Sequence, residues 1–431
     1  MLLSSNALNV WTTAFLACVF FILLRVIYWF NSVMFMYSES HVKNNANFFR
    51  FCSFLIIEII SDYLSSLLQV KVIPVNGVPC LTSFKKEEWV QNDIILFENL
   101  LNFKGENANC NDFSQKLASG AAVYVNDSFS MSHKIRASTV GITRFCYASL
   151  AGFQFEEELM QLLKITDTTR HPSIAIIGGS NFLRKATALH LLASQCDGLF
   201  FVGRLSFQIM NGLGIPVPSC LIERNATKEV LQLIQIAHNR NIPIYYPTDL
   251  WCLNINNNEA LEIFDSTELL SGLIALGWTP VDIGPSTLER ISSLMASYKK
   301  ILWIGPTSYD ATEEFRVGAT QLGQILDKAS HNSCDVILVG SAACKAVKGI
   351  SDSSSQYTTF ENGSIVWEFL KGRILPGIAA LDKVRHALEL LFLFTQSVSA
   401  LKMLSRLKNQ DDALSVRNYV HTYTINALCM T

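Results

Sequence analysis

From residue 171 onward, runs of uninterrupted apolar residues alternate with helix-length segments, and few folds accommodate that pattern. The runs are "SIAIIGG" (173–179), "GLFFVG" (198–203), "KKILWIGP" (299–306) and "CDVILVGS" (334–341), each leading into a helical stretch. "IPIYYPTDLW" (242–251) reads as a further strand, ending in Asp249. A strand without polar alternation is covered on both faces, so the pattern predicts a parallel sheet with helices on each side. Ligands of such sheets gather at the carboxyl ends of the strands. Here those ends carry Gly178, Gly179, Gly203, Gly305 and Gly340. The sharpest case is "SIAIIGGSNFLRKATAL" (173–189): strand, Gly-Gly turn, helix. Free helix N–H groups and the close approach that glycine permits suit a phosphate. Yet the turn itself offers only Ser180 and Asn181, and the first cations, Arg184 and Lys185, come a helical turn later.

Upstream, residues 48–69 have the pattern of an apolar-faced helix. "KVIPV" (71–75), "DIILFENL" (93–100) and "AAVYVNDSF" (121–129) read as strands. "CNDFSQKLASGA" (110–121) reads as a helix closed by Gly120, and 152–165 as an amphipathic helix whose Glu156, Glu157 and Glu158 form a solvated face. Residues 8–24, "LNVWTTAFLACVFFILL", carry no charge, and Trp11, Tyr28 and Trp29 lie near the ends. One membrane span is the expectation. Arg25, Lys43 and Arg50 follow it, which predicts a main domain facing the cytoplasm. The alternative is a chain soluble in a reducing compartment, cytosol or plastid. The tail 384–410 again has apolar residues at helical spacing.

The formal net charge is −2 and there is no basic run, so nucleic acid is not an expected partner. The 11 cysteines are scattered without CxxC spacing, which argues against a zinc ribbon and for reduced thiols. His171, His190 and His238 have no partners at ligand spacing, so no metal site is expected from them. The glycosylation-like triplets at Asn126, Asn225 and Asn362 read as chance matches.

"ILFENLLNF", "VYVNDSFSMSHKIRASTVG", "AIIGGSNFLRK", "GWTPVDIGP", "ILWIGP" and "WEFLKGRILPGIAALDK" follow one another in an order and spacing that resembles phosphoglycerate kinase. The resemblance runs from about residue 54 to residue 383. It implies two doubly wound, Rossmann-like α/β lobes joined by a hinge helix, one lobe holding phosphoglycerate and the other Mg-ATP or Mg-ADP. On this chain it divides into an N-terminal hydrophobic segment (1–47), an incomplete N-lobe (48–151), a hinge helix (152–170), a C-lobe (171–383) and a tail (384–431). It assigns His133 and Lys134 to the substrate, and Gly178, Gly179, Lys185, Gly305 and Pro306 to the nucleotide.

Phosphoryl transfer rests on positioning two anions and neutralising charge on the moving group. Much of that equipment departs from the family pattern. Asn181 stands where the family has a lysine, Leu101 where it has the arginine of "ENLR", and Lys134 where it has a second arginine. Arg204 stands in the triple-glycine loop, Ile304 replaces the amide of "WNGP", and Ala311 the ribose-side glutamate. Ala342 and Ala343 replace the aspartate and threonine of "GGGDT", and Glu361 opens the former "TGGGAS" loop. The "DFN" and "SHLGRP" signatures are absent. One missing cation at a transferring phosphoryl slows reaction roughly 10³- to 10⁵-fold, or about 4–7 kcal/mol of barrier. The sequence therefore predicts a pseudoenzyme without catalytic residues or metal, serving as a binding or scaffolding protein. The alternatives are an active or residual phosphoglycerate kinase, and a binder of another anionic metabolite through Arg204. The incomplete N-lobe further predicts cover by a protein partner, the membrane, or the chain's own ends.

Overall fold

The computed structural model describes residues 46–75, 77, 94–167, 169–254, 256, 261–266, 276–309, 317–348 and 357–381. The expected span 8–24 and the tail 384–410 lie outside the described residues. Among the described residues, no helix is long and apolar enough to cross a membrane. The chain divides into two compact units, residues up to Ala122 with Arg136–Cys146, and Val123–Ile135 with Tyr147 onward.

In the first unit, helix α1 (Ala46–Leu68) leads into strand β1 (Val72–Val75), which pairs in parallel with β2 (Ile94–Phe97). The turn between helix and strand closes when the Val72 N–H donates to Ser65 Oγ at 2.9 Å. Two short helices follow, α2 (Lys104–Asn107) and α3 (Asn111–Ala118), the latter running out at Gly120 with φ +85°, as the glycine predicted. Phe113, Leu117 and Ala137 form a small core. Buried Glu106 accepts from Ser138 N at 3.0 Å and Ser138 Oγ at 2.6 Å, fixing the turn Ala137–Gly141.

The second unit opens with β3 (Val123–Asn126) and β4 (Ala148–Ala151), a parallel pair, and helix α4 (Phe153–Thr166). Both ends of α4 are tied down. Asp127 Oδ1 accepts the Phe155 N–H at 2.9 Å. Lys300 Nζ donates to the carbonyls of Lys164, Ile165 and Asp167 at 2.6, 3.0 and 2.7 Å. The next elements are β5 (Ser173–Ile177), α5 (Phe182–Gln195), β6 (Gly198–Phe201), α6 (Arg204–Gly212), α7 (Thr227–Asn239) and β7 (Ile244–Tyr245). After them come β8 (Asp249–Asn254), β9 (Leu261–Asp265), β10 (Trp278–Ile283), α8 (Pro285–Met295), β11 (Lys300–Ile304), α9 (Val317–His331) and β12 (Asp335–Val339). The last are α10 (Ser341–Val347), β13 (Tyr357–Phe360), α11 (Gly363–Leu370) and α12 (Pro376–Ala379).

Six strands form the expected parallel sheet, in the order β13-β12-β11-β5-β6-β7. Its apolar runs feed two cores. Ala175, Ile177, Leu199, Phe201, Leu302 and Ile304 point to one face. Ile174, Ile176, Phe200, Val202, Ile301 and Trp303 point to the other. This is why the strands show no polar alternation.

One strand differs from expectation. Residues 242–251 do not form a strand ending in Asp249: β7 stops at Tyr245, and Asp249 begins β8, which joins an antiparallel sheet in the order β10-β8-β9. Pro247 lies between them, fixing φ and lacking the N–H that continued pairing would need. Asp249 instead caps α8, accepting from Ser286 N at 2.9 Å and Thr287 N at 2.7 Å. The Glu156–Glu158 run is only partly a solvated face. Glu157 is exposed, while burial raises the pKa of both Glu156 and Glu158.

Candidate functional site

The tips of the sheet strands are laced together by backbone hydrogen bonds. The Gly178 N–H donates to Ile304 O at 2.8 Å, Gly305 N–H to Val339 O at 3.0 Å, and Gly340 N–H to Phe360 O at 2.7 Å. Gly305 has φ +88°, and a Cβ there would lie 2.6 Å from the Gly178 carbonyl oxygen. A Cβ on Gly178 would collide with the Pro306 carbonyl. Two backbones thus meet where no side chain fits, and Gly178, Gly179, Gly305 and Pro306 are brought side by side.

Lys185 joins them from the first turns of α5. Its ammonium donates to the Ser180 carbonyl and sits 5.1 Å from the centre of the Trp367 ring. Burial pushes its pKa down to about 8, against an upward pull from Glu223 and with a further downward push from Lys371. Lys371 is itself paired with Glu368 at 2.6 Å.

The start of α5 is not open. Asn181 is left-handed at φ +63° and its side chain makes no cap hydrogen bond. Instead the carboxylate of Glu223 reaches in from the segment ahead of α7. Phe182 N donates to Glu223 Oε2 at 2.6 Å and Leu183 N to Glu223 Oε1 at 3.3 Å. Buried Gln208 clips that segment in place, accepting from Glu223 N and donating to Leu221 O, each at 2.9 Å. The helix N-terminus that the strand–turn–helix pattern offered to a phosphate therefore holds an internal anion.

The neighbouring loops have the same character. Leu205 N, in the first turn of α6, donates to Gly179 O at 2.9 Å, and Arg204 is exposed. Asn362 caps α11 by accepting from Ser364 N at 3.1 Å. Glu361 is paired with Lys348. Ala342 and Ala343 present methyl groups at the start of α10, with no side-chain oxygen for a hard cation. Among the described residues, no group of three His, Cys, Asp or Glu is placed to hold a metal ion.

His133 and Lys134 lie on a separate turn after the short helix Phe129–Met131, His133 half-buried and Lys134 exposed. That turn is held by α11 and α12. Ser130 O accepts from Asn362 Nδ2 at 2.9 Å, and Ser132 O accepts from Gly377 N at 2.8 Å. The sequence reading missed Glu223, Gln208 and Trp367. Glu223 lies 41 positions from Phe182, and no local periodicity signals so distant a cap.

A family model described as phosphoglycerate kinase matches residues 38–373. The chain belongs to the phosphoglycerate kinase family. Phosphoglycerate kinase of Synechococcus sp. (strain CC9311) is 32% identical over 301 residues, covering 69% of this chain and 73% of that protein. Chloroplastic phosphoglycerate kinase of Volvox carteri is 31% identical over 293 residues, 68% of this chain and 62% of that relative. Phosphoglycerate kinase from Coxiella burnetii superposes with a TM-score of 0.60 at 22% identity, covering 76% of this chain and 80% of the other. That from Pyrococcus horikoshii OT3 gives 0.61 at 19% identity, covering 76% and 82%. The mixed α/β architecture with its parallel-sheet core is thus the two-lobe phosphoglycerate kinase fold. Membership implies nucleotide and Mg²⁺ use in the family generally.

Proposed function

We propose that this member of the phosphoglycerate kinase family does not transfer phosphoryl groups and serves as a binding or scaffolding protein. The observation that carries the reading is the Glu223 carboxylate on the first N–H groups of α5, beside Asn181 where the family resemblance expects a lysine. Transfer between two polyanions needs positive charge aimed at the moving group. Here Asn181 brings an uncharged amide to the turn, and the helix dipole already faces a carboxylate. Of the two lysines that the family pattern puts in this turn, Lys185 remains, and it is engaged by the Ser180 carbonyl and the Trp367 ring. The residues at the α10 turn do not fit Mg-ATP or Mg-ADP, since Ala342 supplies no oxygen to a cation that takes oxygen ligands. No step of a kinase mechanism is therefore assigned to these residues.

The relatives matched are named phosphoglycerate kinase, so the test is direct. The full chain is assayed with 3-phosphoglycerate and Mg-ATP, coupled to consumption of the acyl phosphate product. The expected result is no turnover above the protein-free rate. Turnover that disappears in Lys185→Ala would defeat the proposal and establish a working kinase.

A further inference from the structure

The surroundings of the Lys185 amine suit a bond-forming nucleophile. It is half-buried in the first turns of α5, beside the Gly-Gly turn. A Cβ on Gly179 would lie 3.3 Å from Nζ, so the bare glycine leaves that side of the amine uncrowded. The Trp367 ring of α11 stands on another side, with its centre 5.1 Å from Nζ. Among the described residues, the ammonium makes one hydrogen bond, to the Ser180 carbonyl. An amine taken out of water beside a second cation gives up its proton more readily and becomes nucleophilic. Burial does most of this here, and Lys371 is the second cation. With a pKa of about 8, about a tenth of the amine is neutral at pH 7, against about one part in 3,000 at the ordinary lysine value.

Charge around the amine is uneven. The Glu368 carboxylate accepts from Lys371 at 2.6 Å and from Arg373 at 3.2 Å, and Glu223 acts on Lys185 itself. Three cations thus share two carboxylates, which leaves one positive charge in excess. Such a place draws small molecules with an anionic group. Among electrophiles that an amine attacks, an aldehyde gives a product that keeps both existing contacts. The neutral amine adds to the carbonyl carbon, a C–N bond forms, and the oxygen leaves as water. Overall, one ammonium and one aldehyde give one protonated imine and one water, with no oxidant or reductant. The protonated imine retains one N–H for the Ser180 carbonyl and its positive charge for the Trp367 ring. An acyl group would instead leave a neutral amide and lose the charge–ring contact.

We propose that Lys185 is an imine-forming amine that takes a small aldehyde bearing an anionic group, with the anion held by the excess charge at Lys371. The inference does not rest on the absence of kinase turnover. To test it, the full chain is incubated at pH 7 with 4-carboxybenzaldehyde and cyanoborohydride, and the reduced adducts are mapped by peptide mass spectrometry. Lys185 should be labelled at least tenfold faster than exposed Lys228. With benzaldehyde, which lacks the carboxylate, the ratio of Lys185 to Lys228 labelling should fall at least threefold. In Lys371→Met the two aldehydes should give the same ratio. Equal labelling of Lys185 and Lys228 in wild type, or a ratio that does not depend on the carboxylate, would overturn the proposal. A carboxylate effect that persists undiminished in Lys371→Met would overturn it as well.

Discussion

Replacing Glu223 with alanine removes both acceptors from the first turn of α5, and the two contacts are not equal. Phe182 N donates at 2.6 Å, a charge-assisted length, whereas Leu183 N donates at 3.3 Å and contributes little. Losing an N-terminal cap costs about 1 kcal/mol, within a range of roughly 0.5–2. Losing negative charge at the positive end of the helix dipole adds about 0.3–1 kcal/mol. Together they place Glu223→Ala about 1.3–2 kcal/mol below wild type. Glu223→Gln keeps one acceptor without the charge and should fall between, about 1 kcal/mol down. Urea denaturation of the three proteins reads this ordering as a progressive drop in midpoint at constant slope.

The same variants test the claim that the seat is already filled. In Glu223→Ala the two N–H groups are free, and an anion that reaches them stabilises the fold by mass action. Inorganic pyrophosphate at ten times its dissociation constant would return about 1.4 kcal/mol. Wild type should show no such gain at the same concentration, because an external anion must first displace the carboxylate of a residue whose backbone Gln208 holds in place. Equal stabilisation of wild type and Glu223→Ala by pyrophosphate would refute the reasoning. So would a Glu223→Ala midpoint indistinguishable from wild type.

Lys300 and Lys185 give two further expectations. Lys300→Met takes an ammonium donor from three carbonyls at the end of α4, of which Lys164 O keeps the Asp167 N–H at 3.3 Å, partly offset by relief of a buried ammonium whose pKa burial already lowers. A net loss of about 2–4 kcal/mol is expected in chemical denaturation, and a change under about 0.5 kcal/mol would contradict the packing described. Lys185, with its pKa pushed down to about 8, should become half-reactive to a trace acetylating reagent near pH 8, while exposed lysines follow about two units higher. Because Glu223 pulls that pKa upward, Glu223→Gln should move the Lys185 midpoint lower still. Between about pH 8 and the ordinary lysine value, the unfolded chain holds a proton that the folded chain has released. Wild type should therefore gain stability relative to Lys185→Met as pH rises through that window, and a loss would mean the sign of the shift is wrong.

What the sequence disclosed, and what it hid, divides along physical lines. The six-stranded sheet was legible because "SIAIIGG" and its counterparts send alternate residues, Ile174 and Ala175 for example, into two different cores. No amphipathic alternative accounts for such runs. The antiparallel sheet was not legible, because β8 follows β7 after a break that only Pro247 announces. Glu223 and Trp367 stayed hidden for a different reason. A cap or a cation–ring contact made across tens of residues leaves no period in the chain. The departures at Asn181 and Ala342 were visible only against the family pattern. The residues kept from that pattern share a property. Gly178, Gly305 and Pro306 meet where a Cβ would strike backbone, and buried Asp282 of "GWTPVDIGP" accepts the Gly318 N–H at 2.8 Å. Replacing any of them damages the fold itself. Among the side chains that differ, Ala342 and Leu101 bear no such load, and an aspartate or an arginine at those places would matter chiefly to a ligand, whereas Asn181 also suits a left-handed backbone at φ +63°. On the proposed function, fold-bearing positions persist while ligand-facing charges change because the scaffold remains useful and the phosphoryl chemistry does not. Glu223 extends that logic, since a helix end with no visiting phosphate is most stable when the chain supplies its own anion.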